Sequence, residues 1–244
     1  MVNKLVLQSV INKYHLGEIE QVKWVIKDKT LTINFMTINQ EVIGKVVHTG
    51  FDLEDSELAI YSTKKLLNLL SITSGDLMFS LEKGKSVYTK MNFADNAFNL
   101  AYALADPLLI KKVGTVTEPE WDAVLPLEKE YVDNLVKAKN ALTGIGSMSI
   151  KVDIDLNGDN TCIFTFGDEK GHDNKITYQM YGNIKQEKVD IPFNSDMFRN
   201  ILKENKDLES GNIYLNYQGL MKLEFKVEDT SCEYYMVRRE ESAF

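Results

Sequence analysis

The chain has 244 residues, of which 44% are hydrophobic and 26% charged, and its net charge is -8. That length accommodates one large domain or two small ones with their own cores, and the composition excludes a disordered chain. The acidic balance excludes tight nonspecific binding of nucleic acid over the whole surface, so any such contact must come from local positive charge.

Residues 3–14 carry a helical pattern. Val6, Leu7, Val10, Ile11 and Tyr14 fall on one face at the i, i+3, i+4, i+7 spacing, and Lys4, Gln8, Ser9, Asn12 and Lys13 on the other, with Leu5 off the apolar face. Alternation predicts strands at 21–27, 30–37, 41–48 and 57–61, with a turn at Asp28-Lys29. A helix follows in 60–73, with Ser62 or Thr63 as its N-cap. Leu66, Leu67, Leu69 and Leu70 take one side, and Lys64, Lys65 and Asn68 the other. Strands at 76–83, 86–93 and 97–105 come next, the first two joined by a turn at Gly84. Lys111 to Pro119 shows no alternation and contains Gly114 and Pro119, which marks a connector. The predicted division is a domain over 1–112, a connector over 113–120 and a second domain over 121–244.

The second half repeats the order. An extended stretch at 121–127 leads to a helix at 129–142, with Tyr131, Leu135, Ala138 and Leu142 in line and Lys137 opposite. Strands are predicted at 147–155, 161–167, 175–182 and 188–194. A helix at 195–206 has Ser195 as its N-cap, with Met197, Phe198, Ile201 and Leu202 inward and Arg199, Lys203 and Lys206 outward. Strands at 212–218, 221–227 and 233–239 close the chain. TKKLLNLL (63–70) aligns with SDMFRNIL (195–202), sharing Asn68 with Asn200 and Leu70 with Leu202. Each is preceded by a strand and followed by three, which reads as an internal duplication.

Charge is distributed unevenly. The windows 3–14, 62–73, 129–140 and 195–207 hold ten basic and five acidic residues, a net +5, and the remainder sums to -13. One such helix would be an ordinary solvated face. Four, paired by a repeat within an acidic chain, suggest one positive surface that meets phosphates without reading bases. The faces carry no interleaved aromatic residues, so stacking on single-stranded bases is not expected.

In FDLEDSELAIYSTKKLLNLLSI (51–72), KVDIPFNSDMFRNIL (188–202) and CEYYMVRREESAF (232–244), and in the doubled element order, the chain resembles the sliding-clamp family of DNA polymerase processivity factors. The likeness is to the short, two-domain clamps of tailed bacteriophages. It implies an α+β fold of two similar DNA-clamp domains, each with antiparallel sheets and two helices on the inner face of a head-to-tail ring. It implies a homotrimer around double-stranded DNA, with Lys4, Lys13, Lys64, Lys65, Lys137, Lys139, Arg199, Lys203 and Lys206 facing the channel. Subunits would join through edge strands at 97–105 and 175–182, involving Phe98, Leu100, Tyr102, Ile176, Tyr178 and Met180. A pocket beside the connector, with Val113, Leu125, Pro126, Tyr234 and Met236 as candidates, would receive a tail peptide of the DNA polymerase. An ATP-dependent clamp loader would place the ring on DNA, in the cytoplasm of an infected bacterial host. The implied role is non-catalytic and needs no cofactor or metal.

Other chemistry finds little support. Asp153, Asp155, Asn157 and Gly158 imitate the start of an EF-hand loop, but its twelfth position is Phe164 where a bidentate Glu is needed, so a hairpin turn is expected. His15, His48 and His172 are isolated from any Ser or Cys pattern. Gly144 and Gly146 lack the third glycine of a dinucleotide loop. Cys162 and Cys232 match no metal spacing and read as reduced cysteines of a cytosolic protein. The first 14 residues are too briefly apolar for a secretory signal, and no run of about 18 apolar residues exists to span a membrane. The competing reading is a phage structural or assembly protein of two duplicated β-rich domains that does not encircle DNA.

Overall fold

A computed structural model of the chain describes residues 2–167 and 174–239. His172 and the end of the chain from Glu240 to Phe244 lie outside the described residues. The described residues form two units. Unit 1 holds residues 2–38, 43–115 and 229–232, and unit 2 holds 39–42, 116–228 and 233–239.

Unit 1 contains β1 (Val2–Asn3), α1 (Lys4–His15), β2 (Val22–Lys27), β3 (Thr30–Met36), β4 (Val42–Thr49), β5 (Ser56–Ile60), α2 (Thr63–Ser71), β6 (Asp76–Lys83), β7 (Tyr88–Ala94) and β8 (Asn99–Ala103). Period-2 patterning explains the strands. β2 buries Val22, Trp24 and Ile26 and turns Lys23, Val25 and Lys27 to the other side. Asp28 and Lys29 close the β2–β3 hairpin at φ 48° and 57°, and the Asp28 amide donates to an Asp55 carboxylate oxygen at 3.0 Å. The strands form the antiparallel orders β5-β2-β3-β4 and β1-β6-β7-β8. The core gathers Tyr14, Trp24, Phe35 and Phe51, with Trp24 and Phe51 edge to face at 6.3 Å.

Unit 2 contains β9 (Ala123–Leu127), α3 (Lys129–Ala141), β10 (Ser147–Ile154), β11 (Asn160–Gly167), β12 (Lys175–Tyr181), β13 (Asn183–Ile184), β14 (Asp190–Asn194), α4 (Ser195–Glu204), β15 (Ser210–Asn216), β16 (Leu220–Val227) and β17 (Thr230–Val237). Its orders are β14-β10-β11-β12 and β13-β9-β15-β16-β17. Phe164 stacks on Phe198 at 5.9 Å, and Phe225 meets Tyr234 at the same distance. Asp155 to Asp159 is the turn of the β10–β11 hairpin. The Asp155 carboxylate accepts from the Asn157 and Asp159 amides at 2.8 and 2.9 Å, and Gly158 takes φ 90°.

The strand orders establish the duplication. β5-β2-β3-β4 matches β14-β10-β11-β12 rank for rank, and β1-β6-β7-β8 matches β9-β15-β16-β17. Helices α1 and α3 correspond, as do α2 and α4. The fold is α+β with two similar domains of antiparallel sheet and paired helices. The sequence reading did not foresee the short strands β1 and β13 or the 3₁₀ turn Pro107–Leu109. Such pieces are too short to show a periodicity.

Within unit 1 the Thr49 amide donates to the Asp229 carbonyl at 3.0 Å, and His48 Nδ1 lies 2.9 Å from Thr230 Oγ1. Within unit 2 the Val237 amide donates to the Glu41 carbonyl at 3.0 Å.

Candidate functional site

The candidate basic residues sit on the helices or directly after them. Helix α1 begins at Asn3, whose side-chain oxygen accepts from the Leu5 and Val6 amides at 3.0 and 3.3 Å. Helix α2 begins at Ser62, with Glu20 accepting from Ser62 Oγ and from the Lys64 amide at 3.0 and 3.1 Å. Neither α1 nor α2 contains an acidic residue. Leu66 and Leu70 are fully buried, which turns Lys64, Lys65 and Asn68 outward. The Lys65 ammonium lies 5.4 Å from the Tyr61 ring centroid.

Helix α4 is capped by Asn194, which accepts from the Asp196 and Met197 amides at 3.1 Å each. The expected cap, Ser195, is instead buried in the first turn and donates to the Ile145 carbonyl at 2.8 Å. Met197, Phe198, Ile201 and Leu202 are buried as the periodicity predicts, and Lys203 and Lys206 are exposed. In α3 the buried residues are Val132, Leu135 and Lys139. Tyr131, Ala138 and Leu142, expected inside, are only half-buried. The buried face is thus rotated from the one read in sequence, because the aliphatic stem of Lys139 fills a core position while its charge finds an acid.

Three of the residues read as channel-facing do other work. Lys13 is 2% exposed and Lys139 3%. The Lys139 ammonium pairs with Asp196 at 3.1 Å, and Arg199 approaches the same carboxylate at 3.7 Å. Lys4 donates to the Ser71 carbonyl at 3.3 Å and to the Thr73 carbonyl, so it caps the C-terminal end of α2, where a cation is favoured. What α1 exposes is Leu5 and Ser9, with Gln8 and Asn12 half-buried. The exposed cations left from the sequence reading are Lys64, Lys65, Lys137, Lys203 and Lys206, with Arg199 half-buried. None of the five exposed lysines forms an ion pair among the described residues.

The expected peptide pocket needs a larger revision. Leu125, Tyr234 and Met236 are 0% exposed and belong to the core of unit 2. The Tyr234 hydroxyl accepts from Asn205 Nδ2 at 3.0 Å. The inward and outward positions of a strand alternate, and the sequence reading took the inward set of β9 and β17. Pro126 is exposed, and Tyr235 and Val237 occupy the outward positions of β17. Val113 belongs to unit 1 and is half-buried.

Of the edge-strand residues, Phe98 is 43% exposed, Leu100, Ile176 and Tyr178 are half-buried, and Tyr102 and Met180 are buried. The Tyr102 hydroxyl donates to the Ser62 carbonyl at 3.1 Å and accepts from the Ser62 amide at 3.0 Å. Strands β8 and β12 each end the order in which they stand, β1-β6-β7-β8 and β12-β11-β10-β14, and so have one edge unpaired among the described residues.

A cluster that the sequence does not reveal surrounds Glu118. Its carboxylate accepts from Lys222 at 2.8 Å, from the Tyr235 hydroxyl at 2.6 Å and from the Trp121 indole at 3.4 Å. The Lys222 ammonium also lies 5.3 Å and 5.7 Å from the Tyr214 and Tyr235 ring centroids. The hydrogen bonds from Lys222 and Tyr235 hold the Glu118 carboxyl below its ordinary pKa of 4.5. The Glu118–Lys222 contact spans 104 residues, so no local pattern could have marked it.

No protein-family model matches the sequence, and no curated protein matches it. Solved structures do match the fold. A proliferating cellular nuclear antigen from Entamoeba histolytica superposes with a TM-score of 0.75 at 14% identity, over 98% of this chain and 96% of that one. The A. fulgidus PCNA in a complex with the C-terminal region of FEN-1 gives 0.76 at 14% identity, over 99% and 98%. A chain of the PCNA2-PCNA3 complex from Sulfolobus tokodaii gives 0.73 at 11% identity, over 98% of each. The chain therefore has the PCNA-like sliding-clamp fold along nearly its whole length.

Proposed function

We propose that the chain is a subunit of a ring-shaped sliding clamp that encircles duplex DNA and tethers a replicative DNA polymerase, without catalysing a reaction. The observation that carries this reading is the duplication, with β8 and β12 each at the end of a four-stranded order. By rank, β12 is the counterpart of β4, and β8 that of β17. Pairing β12 of one copy with β8 of the next would join copies head to tail through main-chain hydrogen bonds. A heterologous contact of this kind closes into a ring when its rotation permits. Three copies, each of two clamp domains, is the closure we propose.

The exposed lysines supply the second part. Lys64 and Lys65 on the acid-free α2 of unit 1, and Lys137, Lys203 and Lys206 in unit 2, offer cationic, sequence-blind contacts. Nonspecific backbone contact has a Kd of about 10⁻⁴ to 10⁻⁶ M, weak enough to permit sliding. Enclosure would hold the ring on DNA, and a tethered polymerase would stay at high effective concentration near the primer end. The acidic remainder of the chain disfavours contact elsewhere. A separate ATP-dependent loader is expected to open the ring. The bacteriophage setting, and with it the cytoplasm of an infected host, rests on the sequence resemblance.

Sedimentation should give three times the 27.8 kDa of one chain. Protein loaded onto closed circular DNA should stay bound and be lost when the circle is cut. A stable single chain at high micromolar concentration, or retention that ignores linearisation, would refute the reading.

A further inference from the structure

We infer that Tyr61 and Tyr102 are positioning residues for a phosphate contact made by Lys65, holding its ammonium in place before DNA arrives. The inference rests on the DNA-binding role proposed for α2. All the residues involved belong to unit 1.

Lys64 and Lys65 stand in the first turn of α2, and that turn contains no acidic residue. A helix N-terminus carries partial positive charge, so two cations there cost stability. A local rule broken in this way points to function. The turn is stabilised from outside instead. The Glu20 carboxylate accepts from Ser62 Oγ and from the Lys64 amide at 3.0 and 3.1 Å, and the Glu20 carbonyl accepts from the Thr63 amide at 3.0 Å. The Lys65 amide donates to Ser62 Oγ at 3.4 Å. The first amides of α2 are therefore occupied, and a phosphate here meets side chains.

The Lys65 side chain is supported from the core outward. Tyr102 is 2% exposed, and its hydroxyl is hydrogen-bonded to both the amide and the carbonyl of Ser62. Burial pushes that hydroxyl up to about 12, so it stays protonated and donates at neutral pH. In β8, Tyr102 stands opposite Met91 of β7, which fixes its backbone. The half-buried Tyr61 ring stacks on Tyr102 with centroids 5.4 Å apart and planes 23° apart. The exposed Lys65 ammonium lies over Tyr61, 5.4 Å from its centroid. A free lysine gives up rotamer freedom when a phosphate fixes its ammonium, and one already held over a ring gives up less.

The test follows binding of the full chain to a fluorophore-labelled linear duplex by fluorescence polarisation, at about 50 mM salt where backbone contacts are strong. Tyr61→Leu should weaken binding about two- to fivefold, the range that an exposed cation–π contact supports. Tyr61→Phe keeps the ring and should bind as the parent does. Tyr102→Phe keeps the stack but loses the Ser62 hydrogen bonds, and should fall between the two. In a Lys65→Ala background Tyr61→Leu should change nothing further, and in a Lys64→Ala background it should weaken binding by its full factor. A ring that only stabilised the fold would weaken binding in both backgrounds. Equal losses in the two backgrounds, tighter binding by Tyr61→Leu, or a Tyr61→Phe variant as weak as Tyr61→Leu overturns the inference. So does a larger loss on single-stranded than on duplex DNA, which would make Tyr61 a platform for a base. If Lys65→Ala weakens duplex binding and Tyr61→Leu does not, the inference falls and the DNA-binding role of α2 stands. If Lys65→Ala leaves duplex binding unchanged, the DNA contact assigned to Lys65 falls with the inference.

Discussion

At the residue scale, a helix lysine belongs to the core or to the surface depending on where its charge ends. Lys139 and Lys203 are both helix lysines of unit 2, but Lys139 is buried against Asp196 and Lys203 is exposed. Lys139→Ala is expected to cost about 2 kcal/mol, less than a fully buried pair because Asp196 is half in water and keeps Arg199 nearby. Urea denaturation should show a lower midpoint, with the salt dependence of DNA binding unchanged. Glu118 makes a pH prediction. Its folded pKa is depressed, so its contribution is present above the ordinary value of 4.5 and lost as pH falls through the lower folded value. Glu118→Gln should therefore remove part of the acid-side loss of stability. At neutral pH it should speed amide exchange over residues 113–120; unchanged exchange would mean that the network does not hold the connector.

At the scale of elements, α2 and the outer faces of α3 and α4 are separable from the core they cover. Replacing Lys64, Lys65, Lys137 and Lys203 by Glu changes exposed positions only. Stability should stay within about 0.5 kcal/mol of the parent. Duplex binding should be lost, and each lysine reverted to the parent residue should steepen the salt slope by about 0.9. Strand β12 gives the matching test of assembly. Thr177 and Gln179 are exposed on it. Thr177→Lys with Gln179→Lys places like charges along the open edge, which natural sheets use to block pairing. Sedimentation should report single chains with an unchanged circular dichroism spectrum. A ring of normal mass would show that β12 is not the joining edge.

At the scale of the whole molecule, enclosure and affinity respond differently to salt. A surface with about 6–10 phosphate contacts loses about 10³–10⁵ in affinity between about 50 and 200 mM salt. Parent protein loaded on closed circles should survive that change, while the β12 variant, unable to enclose, should dissociate. Equal losses for both, measured by gel filtration of the DNA-bound fraction, would place the hold on DNA in affinity.

The order of elements, the duplication and the inward residues of α4 were legible in the sequence because each rests on local periodicity repeated twice. The periodicity of strands and helices follows from backbone geometry, which a single chain segment already expresses. Which lysines stay in water was decided only by tertiary structure. Lys13 and Lys139 carry the same charge as Lys64, but packing and an acid from another helix remove Lys139 from the surface, and no spacing rule encodes that partner. Strand register likewise settled that Tyr234 and Met236 are core while Tyr235 reaches Glu118. A one-residue choice of face exchanges inside for outside, and only the packed sheet makes that choice.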